Sequence, residues 1–192
     1  MLLQFKIKLL NVEEPEVWRQ ILVPSQFTFH QFHQIIQEAF GWEDYHLYEF
    51  RPKGRKGGPN IGLSDFEGDE DVTESNKVPL SEMFIKPGQK MMYNYDFGDG
   101  WTHEITLQKI TDNASLIADC IGGNGTCPPE DCGGQFGFKE MKDILKDPKN
   151  PEYKEMCVWL GLTKKETWEA DNFDRRLTSK WVRRFSVEYL QL

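Results

Sequence analysis

The sequence is short of cations: 23 Lys and Arg stand against 31 Asp and Glu, for a net charge of −8. Such a surface repels phosphate backbones, so the sequence predicts no autonomous duplex-DNA reader and nucleic acid is not an expected partner. Long apolar runs are missing too. Nothing approaches the roughly 20 residues of a membrane span, so no membrane association is expected. Lys6 and Lys8 interrupt the apolar pattern of the first strand-like segment and no cleavage site follows, which argues against a signal peptide and for a cytoplasmic protein. In that compartment the four cysteines are expected to be reduced thiols or metal ligands. Also lacking are a Walker A loop, a dinucleotide fingerprint after a strand and a Gly-x-Ser-x-Gly elbow.

What is present is enough for a packed core. Apolar residues make up 39% of the 192 residues and aromatics 13%, which excludes a globally disordered chain and suits one domain over residues 1–192. Leu3, Phe5, Ile7 and Leu9 alternate with Gln4, Lys6 and Lys8, the period of a half-buried strand. Val17 to Val23 reads as its antiparallel partner. Phe29, Phe32, Ile36 and Phe40 recur at helical spacing, with Ser25 or Thr28 as cap and Gly41 as stop. Tyr45 to Phe50 reads as a third strand. Residues 51–78 are rich in glycine and acid and read as a long surface loop inserted in the domain, without regular structure over 54–76. A helical turn over Leu80 to Phe84, a hairpin over 90–110 and a strand over Ser115 to Cys120 follow. Helices are expected over Phe136 to Lys146, from Pro151 to Gly161, after a capping box at Thr163 to Glu166, and along the Phe173, Leu177, Trp181, Phe185 stripe. From Val182 to Leu190 an extended strand is the alternative. Strands early and helices late predict an α+β fold: a mainly antiparallel twisted sheet with helices packed on it and a helix-rich C-terminal part.

Two segments carry the candidate chemistry. In Tyr93 to Ile105, a three-residue Gly98-Asp99-Gly100 loop pairs Phe97 with Trp101 and Tyr95 with His103, with Gly100 left-handed. A two-residue Asp99-Gly100 turn would set His103 opposite Asp96 but turn a hydrophobic set outward, so the three-residue loop is expected. His103 then lies on an apolar face, as a core histidine or as a ligand at a pocket floor, and Asp96 and Asp99 are turn residues or carboxylates for chemistry. The second segment holds Cys120, Cys127 and Cys132 with Pro128, Pro129, Glu130 and Asp131. Three thiols and one His can hold tetrahedral zinc, although neither interval is the usual Cys-x₂-Cys; small buried thiols at backbone crossings, with no cofactor, are the alternative. His33 borders the apolar stripe of the first helix and His46 stands near a strand entrance. A candidate binding set is therefore His33, His46, Asp96, Asp99, Trp101, His103, Glu130 and Asp131, with the site expected where the cysteine loop nears the first helix and the hairpin.

Several motifs resemble one family in order along the chain. Pro15-Glu16-Val17-Trp18-Arg19, Val23-Pro24 and Phe32 to Trp42 are similar to the opening of the plasmid pRiA4b ORF-three-like family. Tyr95-Asp96-Phe97-Gly98-Asp99 with Trp101 and His103 resembles its central signature, and Cys120 to Gly123 with Cys127 to Gly134 its third. The resemblance implies an α+β domain of bacteria and archaea, often encoded on plasmids or beside mobile elements, and carries no catalytic residue over. Tyr48 departs from the pattern, standing where a second histidine often follows His46. Two functional classes remain open at this point. One is a non-enzymatic binding module for an unidentified ligand or protein, with Trp18, Trp42, Tyr45, Tyr95 and Trp101 lining a groove. The other is a metal-dependent (zinc) enzyme using the His, Cys and Asp constellation.

Overall fold

A computed structural model describes residues 1–53, 59–63, 72–163 and 166–190. Its strands are β1 (Leu2–Leu9), β2 (Trp18–Pro24), β3 (Tyr48–Pro52), β4 (Asn60–Gly62), β5 (Val72–Glu74), β6 (Lys90–Tyr95), β7 (Trp101–Thr111) and β8 (Asp119–Asn124). They form one sheet in the order β5-β4-β3-β6-β7-β1-β2-β8. Every pairing is antiparallel except that of β4 with β5. The helices are α1 (Phe29–Phe40), α2 (Leu80–Met83), α3 (Gly134–Lys146), α4 (Tyr153–Trp159) and α5 (Arg175–Leu190). The fold is α+β.

The alternation in β1 does what its period requires: Leu3, Phe5, Ile7 and Leu9 are buried while Gln4, Lys6 and Lys8 are not. Thr28 starts α1 through a reciprocal capping box with Gln31, and Gly41 ends it at φ +78°, where a side chain would be strained. The α1 stripe packs onto the sheet: Phe5 lies 4.7 Å from both Phe32 and Phe84, and Phe29 lies 5.0 Å from Phe50. A ring buried this way contributes roughly 1.5–3 kcal/mol.

Four expectations are corrected. First, the hairpin loop has five residues, Asp96 to Gly100, so Tyr95 faces Trp101 and Tyr93 faces His103. The Asp96 carboxylate accepts the Gly98 N–H at 2.8 Å, the Gly100 N–H donates to Asp96 O at 2.7 Å, and both residues have positive φ (54° and 71°). These bonds end the ladder one residue pair early and leave Phe97 exposed. Because the register moves by two residues, the facing is preserved: Met91, Tyr93, Tyr95, Trp101, His103, Ile105 and Leu107 are all buried.

Second, the acidic insertion contains structure. β4 and β5 extend the sheet beyond β3, Ile61 is buried, and the Ser75 N–H donates to Gly62 O at 2.8 Å. The expectation over 54–58 and 64–71 lies outside the described residues. Third, the strand placed at Ser115 to Cys120 begins four residues later, at Asp119, where β2 provides a partner. Fourth, α5 begins at Arg175, so the helix expected after Thr163 is absent among the described residues. Glu166 still reaches back to the Thr163 N–H at 2.9 Å, and Lys164 and Lys165 lie outside the described residues. Among the described side chains of α5, Val182 and Ser186 are buried, while Leu177 and Trp181 are about half exposed. The Ser186 hydroxyl fixes this rotation by accepting the Ala118 N–H at 3.1 Å.

Candidate metal centre

Three segments meet at one end of β6: the turn after α1 (Trp42 to Leu47), the Asp96–Gly100 loop and the loop from Cys127 to Gly134. Trp42 joins the first and third, stacking on Tyr95 at 5.0 Å and donating its indole N–H to Pro128 O at 2.9 Å. Tyr95 donates its hydroxyl to Glu130 Oε1 at 2.8 Å, and the Glu43 N–H donates to the same oxygen at 2.9 Å. The Asp96 N–H donates to Leu47 O at 3.0 Å. Asp99 works as a staple: its carboxylate accepts the Gly133 N–H at 3.2 Å, and a Cβ on Gly134 would stand 2.6 Å from Asp99 O.

These anchors bring His46, Asp96, Glu130 and Asp131 together. His46 Nε2 lies 3.2 Å from Asp131 Oδ1, 3.7 Å from Asp96 Oδ2 and 3.9 Å from Glu130 Oε2. Yet Nε2 and Glu130 Oε2 are solvent-shielded and lack a hydrogen-bond partner, because no carboxylate oxygen lies where an Nε2 proton would point. Metal–ligand bonds of about 2.1 Å hold neighbouring donors about 3.0 Å apart at a right angle and about 3.4 Å apart at the tetrahedral angle, with about 4.2 Å the limit for opposed ligands. The three distances from Nε2 fall within that range. The Asp96 and Glu130 side chains are 8% and 14% exposed, whereas Asp131 is 70% exposed, so the cluster opens to solvent on the Asp131 side. Among the described residues the ion pairs of Asp96, Glu130 and Asp131 go to His46 alone, and no Lys or Arg neutralises them.

The other sequence candidates lie elsewhere. Among the described residues, the group of three or more His, Cys, Asp and Glu with donor atoms within 4.8 Å of one another is His46, Asp96 and Asp131; Cys120, Cys127 and Cys132 do not form such a group. All three are free thiols. Cys120 Sγ donates to Gly122 O at 3.5 Å, and Cys127 Sγ accepts from Arg19 at 2.8 Å. Burial pushes Cys120 and Cys127 up to about 11 and Cys132 up to about 12, which keeps the free thiols protonated near neutral pH. Trp101 and His103 are fully buried in the core. His33 is buried behind the site. Its ring bonds Tyr93 OH at 2.8 Å and Asp44 at 2.6 Å, and burial lowers its pKa against the opposing pull of Asp44. Tyr48 pairs with His30 and Ser75 and takes no part in the cluster. Tyr95, absent from the candidate set, holds Glu130 in place; its position in the alternating run of β6, facing the cysteine loop, was the available signal.

An antiparallel sheet with a helix laid on it and a His–carboxylate cluster where three loops meet defines a class of α+β protein. The chain belongs to the plasmid pRiA4b ORF-3-like protein family, matching it over residues 1–177. It is 33% identical over 193 residues to the uncharacterized protein y4hQ of Sinorhizobium fredii, covering 94% of each chain. It is also similar to a crystal structure of MM3350, a protein of unknown function from Methanosarcina mazei Go1. The identity there is 32% and the TM-score 0.76, with 91% of this chain and 96% of the other covered.

Proposed function

We propose that this protein is a binding module built around a divalent metal ion held by His46, Asp96 and Asp131, with Glu130 beside them. One observation carries the reading: His46 Nε2 is shielded from water and without a hydrogen bond in a group with Asp96 and Asp131 whose donor atoms lie within 4.8 Å of one another, and Glu130 Oε2, 3.9 Å from it, is equally unpartnered. One imidazole with two or three carboxylates suits a borderline to hard ion such as Zn²⁺ or Mn²⁺. The metal would offset two of the three clustered negative charges and present its remaining positions towards the exposed side of Asp131. An accessory role on plasmids or mobile elements belongs to the same proposal; its support is the family's description. A metal-dependent hydrolytic enzyme is the second reading, favoured by that opening, since catalytic sites keep a position free for water.

The test is isothermal titration of the chelator-treated protein with Zn²⁺ and with Mn²⁺. Asp96→Asn and His46→Gln are the variants. Asn tolerates the left-handed backbone at Asp96 and still accepts the Gly98 N–H, so the loop is preserved. One equivalent of metal should bind the unaltered protein, and each variant should bind about 100-fold or more weakly with an unchanged circular dichroism spectrum. Equal binding by the variants, or none by the unaltered protein, would refute the proposal.

A further inference from the structure

A second site lies between α3 and α4, sharing only Asp131 with the metal centre. It is a cleft of about 510 Å³, within the usual range of about 300–1,000 Å³ for ligand pockets. Among the described residues its charged lining is Asp131, Glu140, Glu152 and Glu155, with no Lys, Arg or His. Among the described residues Glu140, Glu152 and Glu155 make no ion pair, whereas Asp131 faces His46. Lys142 and Lys146 of α3 are turned the other way, while Lys139 borders a neighbouring depression that it shares with Glu140 and Glu152. Lys139, Lys142 and Lys146 line a separate depression, where Lys142 donates to Glu13 O at 3.0 Å and Lys146 pairs with Asp143 at 2.9 Å. The cleft side of α3 thus carries Glu140, whereas Asp143 stays among the lysines.

The floor is apolar. Met141 and Ile144 are buried beneath it, Met156 is partly buried, and Trp159 remains half exposed. Thioethers adapt to varied shapes, an indole face attracts cations, and Lys and Arg lay their methylene stems on apolar surface while keeping the charged head in a polar rim. We infer that this cleft docks a partner polypeptide through a Lys- or Arg-bearing stretch with apolar residues between the charges. The acidic rim takes the cations, and the Met156–Trp159 surface takes the stems and the apolar side chains. A polypeptide suits the cleft better than a bare polycation because half of its lining is apolar and would gain nothing from charge alone.

The test uses a six-residue peptide of alternating Lys and Leu, the same peptide acetylated on every lysine, and spermidine, all by calorimetric titration in low salt. The variants are Glu140→Gln with Glu155→Gln, and Trp159→Ala; Asp131 is left intact so that the metal centre is unaffected. The peptide should bind, and its affinity should fall with added salt. Acetylation, the double variant and Trp159→Ala should each weaken it about tenfold, with the circular dichroism spectrum unchanged. Equal binding of the acetylated peptide, no effect of either variant, or no detectable binding at about 1 mM peptide would overturn the inference. Spermidine binding as tightly as the peptide would overturn the polypeptide assignment.

Discussion

Replacing His103 by leucine flattens the dependence of stability on pH. His103 is fully buried, with Phe40 at 4.9 Å and Trp42 at 5.3 Å edge-on to its ring. Its Nδ1 donates to Tyr93 O at 3.4 Å and its Nε2 has no partner. Burial pushes its pKa down to about 3, against about 6.5 for an unfolded histidine. Between those values the unfolded chain carries a proton that the folded chain refuses. The stability from the neutral ring is therefore complete above about pH 6.5 and is lost progressively as pH falls towards about 3. From pH 7 to pH 5 the linkage relation gives a loss of about 1.9 kcal/mol from this residue alone. His33, also lowered by burial, acts in the same direction, so the unaltered protein should lose more than this. Urea denaturation at pH 7 and pH 5 measures both proteins. The His103→Leu loss should be smaller by about 1.9 kcal/mol, and the His103 ring resonance should not titrate down to pH 5 in the unaltered protein. Equal losses in the two proteins, or a His103 ring titrating near pH 6.5, would show that the buried ring accepts its proton without strain and would sink the argument.

Three further substitutions, one of them a control, probe what holds the fold and the site. Gly137→Ala would set a Cβ 1.8 Å from Cys132 O, forcing apart the turn that carries Glu130 and Asp131; thermal unfolding should show Tm lower by about 10 °C or more. Gly41→Asn, with nothing within 4 Å of its Cβ at φ +78°, is the control and should change stability by less than about 1 kcal/mol. Arg19 is 4% exposed and donates to Trp18 O, Ala39 O, Asn124 O, Gly125 O and Cys127 Sγ. Arg19→Met leaves buried carbonyls unpaired and should cost about 3–5 kcal/mol in urea denaturation; a loss below about 1 kcal/mol would mean that water replaces the guanidinium.

Period-two and period-four patterns were readable wherever one face is buried, as in β1, α1 and the facing of β6 and β7. The convergence of the cysteine loop with the hairpin is also written in its residues, since Pro128, Pro129, Gly133 and Gly134 make a loop too constrained for a mere connection. What stayed hidden was contributed by loop backbones. Asp44, Asp96 and Asp131 all adopt positive φ (58°, 54° and 54°), a choice that no periodicity announces; at Asp96 a local bond from the Gly98 N–H accompanies it. With Asp96 in that conformation, the hairpin register and the meeting of Asp96 with His46 follow together. His46 and Asp131 are 85 positions apart, so their contact depends on the whole sheet being in place. The thiols drew attention by composition, yet among the described residues Cys120, Cys127 and Cys132 do not come together as a donor group, whereas His46, Asp96 and Asp131 do.

The position of β1 has a consequence for how the chain is made. β1 lies inside the sheet, between β2 and β7. Its first neighbour leaves the ribosome almost at once, but Phe5 meets Leu107 and Ile7 meets Ile105, about a hundred residues later. Until then one edge of β1 is a row of unmatched amides and carbonyls, open to any extended strand nearby. The two arms of the sheet are therefore joined late and by a distant contact, the kind of step that slows folding and lengthens exposure to aggregation. A defect in β7 would first be felt by a strand synthesised long before it, as a nascent hairpin waiting for a partner.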